Sequence, residues 1–140
     1  IKSPKLYFYD TGVACSLLSI NSSKELITHS ARGGLFESWV IGEFKKIFSN
    51  QHKNAPLFFW RDNKGVEIDL IIEHGEKFSI IEIKSGKTID SSFFKHLNYF
   101  NGLAQKEIIS TYLIYGGDKI QRHREARVIS WAQLAEIYRA

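Results

Sequence analysis

The sequence predicts a mixed α/β domain whose elements run helix, three strands, helix, strand. Three observations carry this. Residues 31–48 place apolar side chains at three- and four-residue steps, the repeat of a helix with one buried stripe. Two neighbouring stretches, Val66-Glu-Ile-Asp-Leu-Ile-Ile-Glu73 and Phe78-Ser-Ile-Ile-Glu-Ile-Lys84, alternate with a period of two, as strands do. Helical spacing then returns after residue 91 and gives way to a further strand pattern at 110–115.

The elements follow in order. Lys5-Leu-Tyr-Phe-Tyr9 reads as a short aromatic strand, and Asp10 as the N-cap of a short helix through Val13, Ala14, Leu17 and Leu18. Ser22 or Ser23 can cap the turn that contains Glu25. Residues 1–30 show no catalytic content and read as an N-terminal arm or the tail of a preceding domain. In the helix over 31–48 the stripe is Phe36, Val40, Phe44 and Ile47, widened by Ile41 and Phe48. Glu37 shares that side, where a carboxylate is costly unless a cation or donor meets it. Reaching solvent, or an arginine such as Arg32, is the other way to satisfy it.

Leu57-Phe-Phe-Trp60 is a short apolar strand ending in the turn Arg61-Asp-Asn-Lys-Gly65. A hairpin through His74-Gly-Glu-Lys77 joins the next two strands, so three antiparallel strands are expected at 57–61, 66–73 and 78–84. By alternation Val66, Ile68, Leu70 and Ile72 share one face, and Glu67, Asp69, Ile71 and Glu73 the other. Ser91 or Ser92 caps a second helix that buries Phe93, Leu97, Phe100 and Ala104. Ser110-Thr-Tyr-Leu-Ile-Tyr115 is a fourth strand closed by Gly116-Gly117. A basic loop with Arg122, Arg124 and Arg127 leads to the strand Val128-Ile-Ser130 and a terminal helix over 131–138.

Composition bounds the function. At 140 residues the chain has the size of one domain, and such a chain buries roughly two-thirds of its unfolded surface. A net charge of +4 favours anionic partners only mildly. The one cysteine, Cys15, excludes an internal disulfide and a cysteine-based zinc cluster, which fits a reducing, cytoplasmic setting. No apolar run is long enough to span a bilayer, and no signal peptide is seen. The chain starts at Ile1 and enters patterned sequence at once, as a fragment of a longer protein would.

The charges on the central strands need an explanation. The hairpin can bring Asp69, Glu82 and Lys84 to one surface, and three carboxylates including Glu37 would repel one another by several kcal/mol without a cation. A hard divalent ion such as Mg²⁺ or Mn²⁺ resolves this, since it takes oxygen ligands and keeps several waters. Asp69 and Glu82 would be its ligands, helped by the backbone carbonyl of Ile83, and Glu37 would bind a second ion or hold a water on the first. Lys84 lies two residues beyond Glu82, about 6.5–7 Å along the strand on the same face. There it could position an attacking water or neutralise a phosphorane. Arg61, Lys64, Lys87, Lys95 and the Arg122–Arg127 loop are candidates for drawing in a polyanion.

These motifs resemble a known superfamily. The Glu37 helix, the Glu-Ile-Asp-Leu-Ile run around Asp69 and Ile81-Glu-Ile-Lys84 look like the motifs of the PD-(D/E)xK nucleases, with Ile68 where the superfamily's proline often stands. The resemblance implies a restriction-endonuclease-like αβββαβ core, a central mixed sheet flanked by helices, across residues 31–115. It implies metal-dependent hydrolysis of nucleic acid, DNA foremost, by Glu37, Asp69, Glu82 and Lys84. More narrowly, Ser3-Pro-Lys-Leu-Tyr-Phe-Tyr-Asp-Thr-Gly12, Gly34-Leu-Phe-Glu-Ser-Trp-Val40 and Phe59-Trp-Arg61 are similar to uncharacterised C-terminal domains of prokaryotic AAA-type ATPases. That likeness implies covalently linked ATPase and winged-helix modules upstream, since no G-x-x-x-x-G-K-[ST] loop is present. It makes residues 1–30 an arm or the end of the winged-helix segment, and 31–140 the nuclease-like domain. The competing expectation is a catalytically silent nuclease-like module that binds or regulates the ATPase.

Overall fold

The structure, a computed structural model, describes residues 4–104 and 107–137. The chain divides into two units, Ile1–Ala55 and Pro56–Ala140.

The first unit is helical. Helix α1 (Thr11–Leu17) starts at Asp10, whose carboxylate accepts the Gly12 N–H at 2.7 Å. Helix α2 (Ser23–Thr28) starts at Ser22, whose hydroxyl accepts the Glu25 N–H, while the Glu25 carboxylate accepts the Asn21 N–H. Helix α3 (Arg32–Asn50) buries Leu35, Ser38, Val40, Phe44 and Phe48, so the stripe is centred differently from expectation; Phe36, Ile41 and Ile47 stay half-exposed. Ala14, Ile20 and Leu35 form a small core. The expected strand at Lys5–Tyr9 does not form. Instead the Ser38 hydroxyl accepts the Phe8 N–H at 2.8 Å and donates to the Phe8 carbonyl at 3.3 Å, so α3 satisfies backbone groups that a neighbouring strand would otherwise have to meet.

The second unit is built on a six-stranded mixed sheet in the order β1-β2-β3-β4-β6-β5. Its strands are β1 (Leu57–Arg61), β2 (Glu67–His74), β3 (Lys77–Lys84), β4 (Ile108–Tyr115), β5 (Gln121–Arg122) and β6 (Arg127–Ser130). The first three are antiparallel as expected, and the β2–β3 turn is made by Gly75 at a φ of 69°. β4 lies parallel to β3, which requires a crossover. That crossover carries a 3₁₀ turn (Ser91–Phe94) and helix α4 (Lys95–Leu103). The cap of the turn is Asp90 rather than Ser91 or Ser92, because its carboxylate accepts the Ser92 N–H at 2.8 Å. The αβββαβ order is thus that of α3, β1–β3, α4 and β4. Arg122 and Arg127 lie on paired strands rather than in a loop. The last turns, Trp131–Ile137, are 3₁₀ rather than α-helical, and Tyr138 lies outside the described residues.

Leu97 and Phe100 of α4 pack with Ile68, Ile80, Leu113 and Val128 of the sheet in one apolar core. Burying each such side chain is worth about 1.5–3 kcal/mol. Residues 79–83 of β3 are all buried, so both faces of that strand are covered. One expectation fails at β2. Phe58 pairs with Ile71 but Trp60 with Ile68, so β2 takes three steps where β1 takes two. This bulge breaks the alternation, and Ile68 joins Ile71 and Ile80 in the same core cluster rather than lying on the opposite face.

Candidate functional site

The chemistry-bearing residues of the second unit meet where β2 and β3 part. The last pair of their ladder is Leu70 with Ile81. One residue beyond it, the Asp69 carboxylate takes over from the backbone: its Oδ2 accepts the Ile83 N–H at 2.8 Å. Asp69 is therefore fixed by the strand it would otherwise have paired with. Glu82, 2% exposed, points to the Leu113 side of the sheet, and its Oε1 accepts from the Lys84 Nζ at 2.5 Å. The same ammonium lies 3.8 Å from Asp69 Oδ2. Lys84 thus stands between two carboxylates, with about a third of its side chain still open to solvent. His96, on the first turn of α4, brings Nδ1 to 3.7 Å from Glu82 Oε1. The other oxygen, Glu82 Oε2, is buried and accepts no hydrogen bond from the described residues.

The backbone around Lys84 is held tightly. The Gly116 N–H donates to the carbonyls of Lys84 and Gly86, each at 3.0 Å. A Cβ on Gly116 would lie 2.4 Å from the Ser85 carbonyl oxygen, so only glycine permits this approach.

Four expected residues are gathered here: Asp69, Glu82, Lys84 and, through its N–H, Ile83. Arg61 pairs with Glu67, its cross-strand neighbour, at 2.7 Å. Lys64 on the β1–β2 turn, Lys87 after β3 and Lys95 at the start of α4 are exposed and sit on three separate elements. Glu37 belongs to the first unit. There Lys5 Nζ meets its Oε1 at 2.7 Å and the Tyr7 hydroxyl donates to the same oxygen at 2.9 Å. Arg32, the alternative partner, donates to the Ile27 carbonyl. Burial, and then the charge of Glu37, push the Tyr7 phenol well above its usual range.

Lys5 and Tyr7 were not singled out by the sequence; His96 was expected near the site but not as a partner of Glu82. Lys5 and Tyr7 sit two apart in an extended arm, a spacing that puts them on one side, which was a usable signal. The contact of His96 is made by the crossover and has no local signature.

The fold and this group of side chains define a mixed α/β protein in αβββαβ order, with two buried carboxylates gathered on one lysine at the parting of two central strands. The chain belongs to the family described as Domain of unknown function (DUF4143), which matches residues 32–134. Over 87 residues it is 30% identical to Uncharacterized protein Mb2031c of Mycobacterium bovis, and equally to Uncharacterized protein Rv2008c of Mycobacterium tuberculosis. Each match covers 62% of this chain but only 19% of the relative's length. No solved structure matches it.

Proposed function

We propose that this chain is a metal-dependent phosphodiesterase of the PD-(D/E)xK type that acts on DNA, as the C-terminal part of a longer ATPase. The observation that supports it most is the convergence of Asp69 and Glu82 on Lys84. The donor set fits a hard divalent cation such as Mg²⁺ or Mn²⁺: the carboxylates of Asp69 and Glu82 and the carbonyl of Ile83 offer only oxygen. Such an ion supplies Lewis acidity at the phosphate when bound. The chain's own residues do the rest. The Ile83 N–H orients Asp69, and the packing of β3 fixes Glu82. The Lys84 ammonium orients the attacking water and offsets charge building on the phosphate. Glu37, held by Lys5 and Tyr7 in the first unit, is the further carboxylate the resemblance assigns to catalysis. Among the described residues no helix is long and apolar enough to cross a membrane, and a cytoplasmic site of action is part of the same proposal.

A second reading draws on the same ion pairs. Lys84 already gives Glu82 a countercharge, so that pair is balanced without a metal and suits a silent module that binds or regulates its ATPase.

The test is cleavage of plasmid DNA in Mg²⁺ or Mn²⁺ by the full chain and by Asp69→Ala and Lys84→Ala. Cleavage by the wild type that both substitutions abolish supports the nuclease. Equal cleavage by all three would mark a contaminant, and no cleavage by the full-length ATPase-linked protein would favour the silent module.

A further inference from the structure

An open cleft of about 610 Å³ lies in the second unit and plays no part in the site above. Lys87, Ser91, Asn98, Tyr115, Lys119 and His123 are among its lining residues. It opens at the end of the sheet where Lys84 stands, since Lys84 and Tyr115 are register partners and Lys87 follows three residues on.

The cleft is built rather than incidental. One wall is the turn after β4. The Tyr115 hydroxyl donates to the Lys119 carbonyl at 3.0 Å and accepts its N–H at 3.1 Å, while the buried Ser130 hydroxyl donates to the Gly117 carbonyl at 2.7 Å. The opposite wall, leading into the 3₁₀ turn, is fixed by the Asp90 cap on Ser92. Asp90 takes the Ser92 N–H on its carboxylate and the Phe93 N–H on its carbonyl, so an anion entering here would be met by Lys87 and Lys119 instead. Within the cleft the exposed imidazole of His123 stacks on the buried ring of Phe94, with centroids 5.2 Å apart and planes at 30°. Its outer face is left for a second flat group.

The lining combines one aromatic face, amides on Asn98 and Gln121, two lysines, and the carboxylates Asp118 and Glu125. Those two acids disfavour the dense phosphates of a duplex, which basic surfaces bind. Amides and carboxylates do suit base edges, and an aromatic face suits stacking with any base.

We propose that this cleft receives an unpaired nucleotide of a DNA strand, its base stacked on His123 and its phosphate met by Lys87 and Lys119. The strand would run on from there to Lys84, a step that rests on the phosphodiesterase reading. The chain would then prefer single-stranded or frayed DNA to intact duplex.

Fluorescence anisotropy of the full chain with a labelled single strand and with the matching duplex, in EDTA, tests this without cleavage. The single strand should bind more tightly than the duplex. His123→Ala should weaken it about fivefold or more, as loss of one stacked base does. Lys119→Ala should also weaken it, and His123→Tyr should restore it. Both residues are exposed, so the variants should keep the wild-type melting temperature. Preference for duplex, or wild-type binding by both alanine variants, overturns the cleft. Metal-dependent cleavage scored in parallel separates the two ideas. Cleavage with binding that ignores His123 and Lys119 sinks the cleft alone. Binding that depends on His123, with no cleavage in any metal, upholds the cleft and sinks the nuclease.

Discussion

The Asp69 carboxylate accepts the Ile83 N–H at 2.8 Å, one residue past the last pair of the β2–β3 ladder. The same side chain therefore completes the sheet and faces Lys84. The two roles separate by substitution. Asp69→Ala strands a buried N–H and should cost about 1–3 kcal/mol in urea unfolding. Asp69→Asn keeps an acceptor oxygen and should cost less. Both should lose metal-dependent cleavage, so Asn is the variant that reports chemistry apart from folding.

Lys84 offers a test of the metal that needs no turnover. Lys84→Met leaves Glu82 and Asp69 without the ammonium between them, and the melting temperature should fall. Millimolar Mn²⁺ should then raise it by more than it raises the wild type, because the ion no longer competes with Lys84. An ion present at 100 times its Kd stabilises by about 2.7 kcal/mol. An equal Mn²⁺ shift in wild type, Lys84→Met and Glu82→Ala would remove the carboxylates from any metal site.

Gly116→Ala should harm the site from a distance. Its methyl would press on the Ser85 carbonyl at 2.4 Å, and the strand end carrying Lys84 must move to relieve it. Overpacking of this kind costs about 1–3 kcal/mol. Thermal melting should show that loss. Cleavage should fall further than the fraction of folded protein explains.

Tyr7 gives the first unit a signature in alkaline solution. Its phenol is pushed up by burial and by Glu37, so the folded state favours the protonated form that donates to Glu37. For a raised group the stabilisation is complete below the unfolded phenol value near 10. It is lost as pH climbs from there through the higher folded value. Wild type should therefore lose stability above pH 10 more steeply than Tyr7→Phe. The difference between their ultraviolet titrations should show one phenol ionising late. Parallel stability curves would detach Tyr7 from Glu37.

Much of the second unit was legible because its strands carry a local code. Alternation over 66–73 and 78–84, with Gly75 between, needs no distant partner to be read as a hairpin. The acids and lysine on these strands were visible for the same reason. The misreadings came where another group, distant or adjacent, took a role the local letters suggested. Lys5–Tyr9 has strand letters, yet Ser38 claims its backbone. Ser91 and Ser92 are good caps, yet Asp90 gets there first by one residue.

The sequence by itself determined the helix, three-strand, helix, strand order over residues 31–115, the β2–β3 hairpin and the presence of Asp69, Glu82 and Lys84 on adjoining strands, all consequences of periods of two and 3.6. Only the tertiary structure decided the bulge that moves Ile68 into the core with Ile80, the reach of His96 to Glu82 and the close pass of Gly116 over Ser85. It also decided that Lys5 and Tyr7 would meet Glu37. Those features depend on chain segments up to 32 residues apart arriving together. Packing and the need to pair buried charge govern such meetings, and no local pattern of letters encodes them.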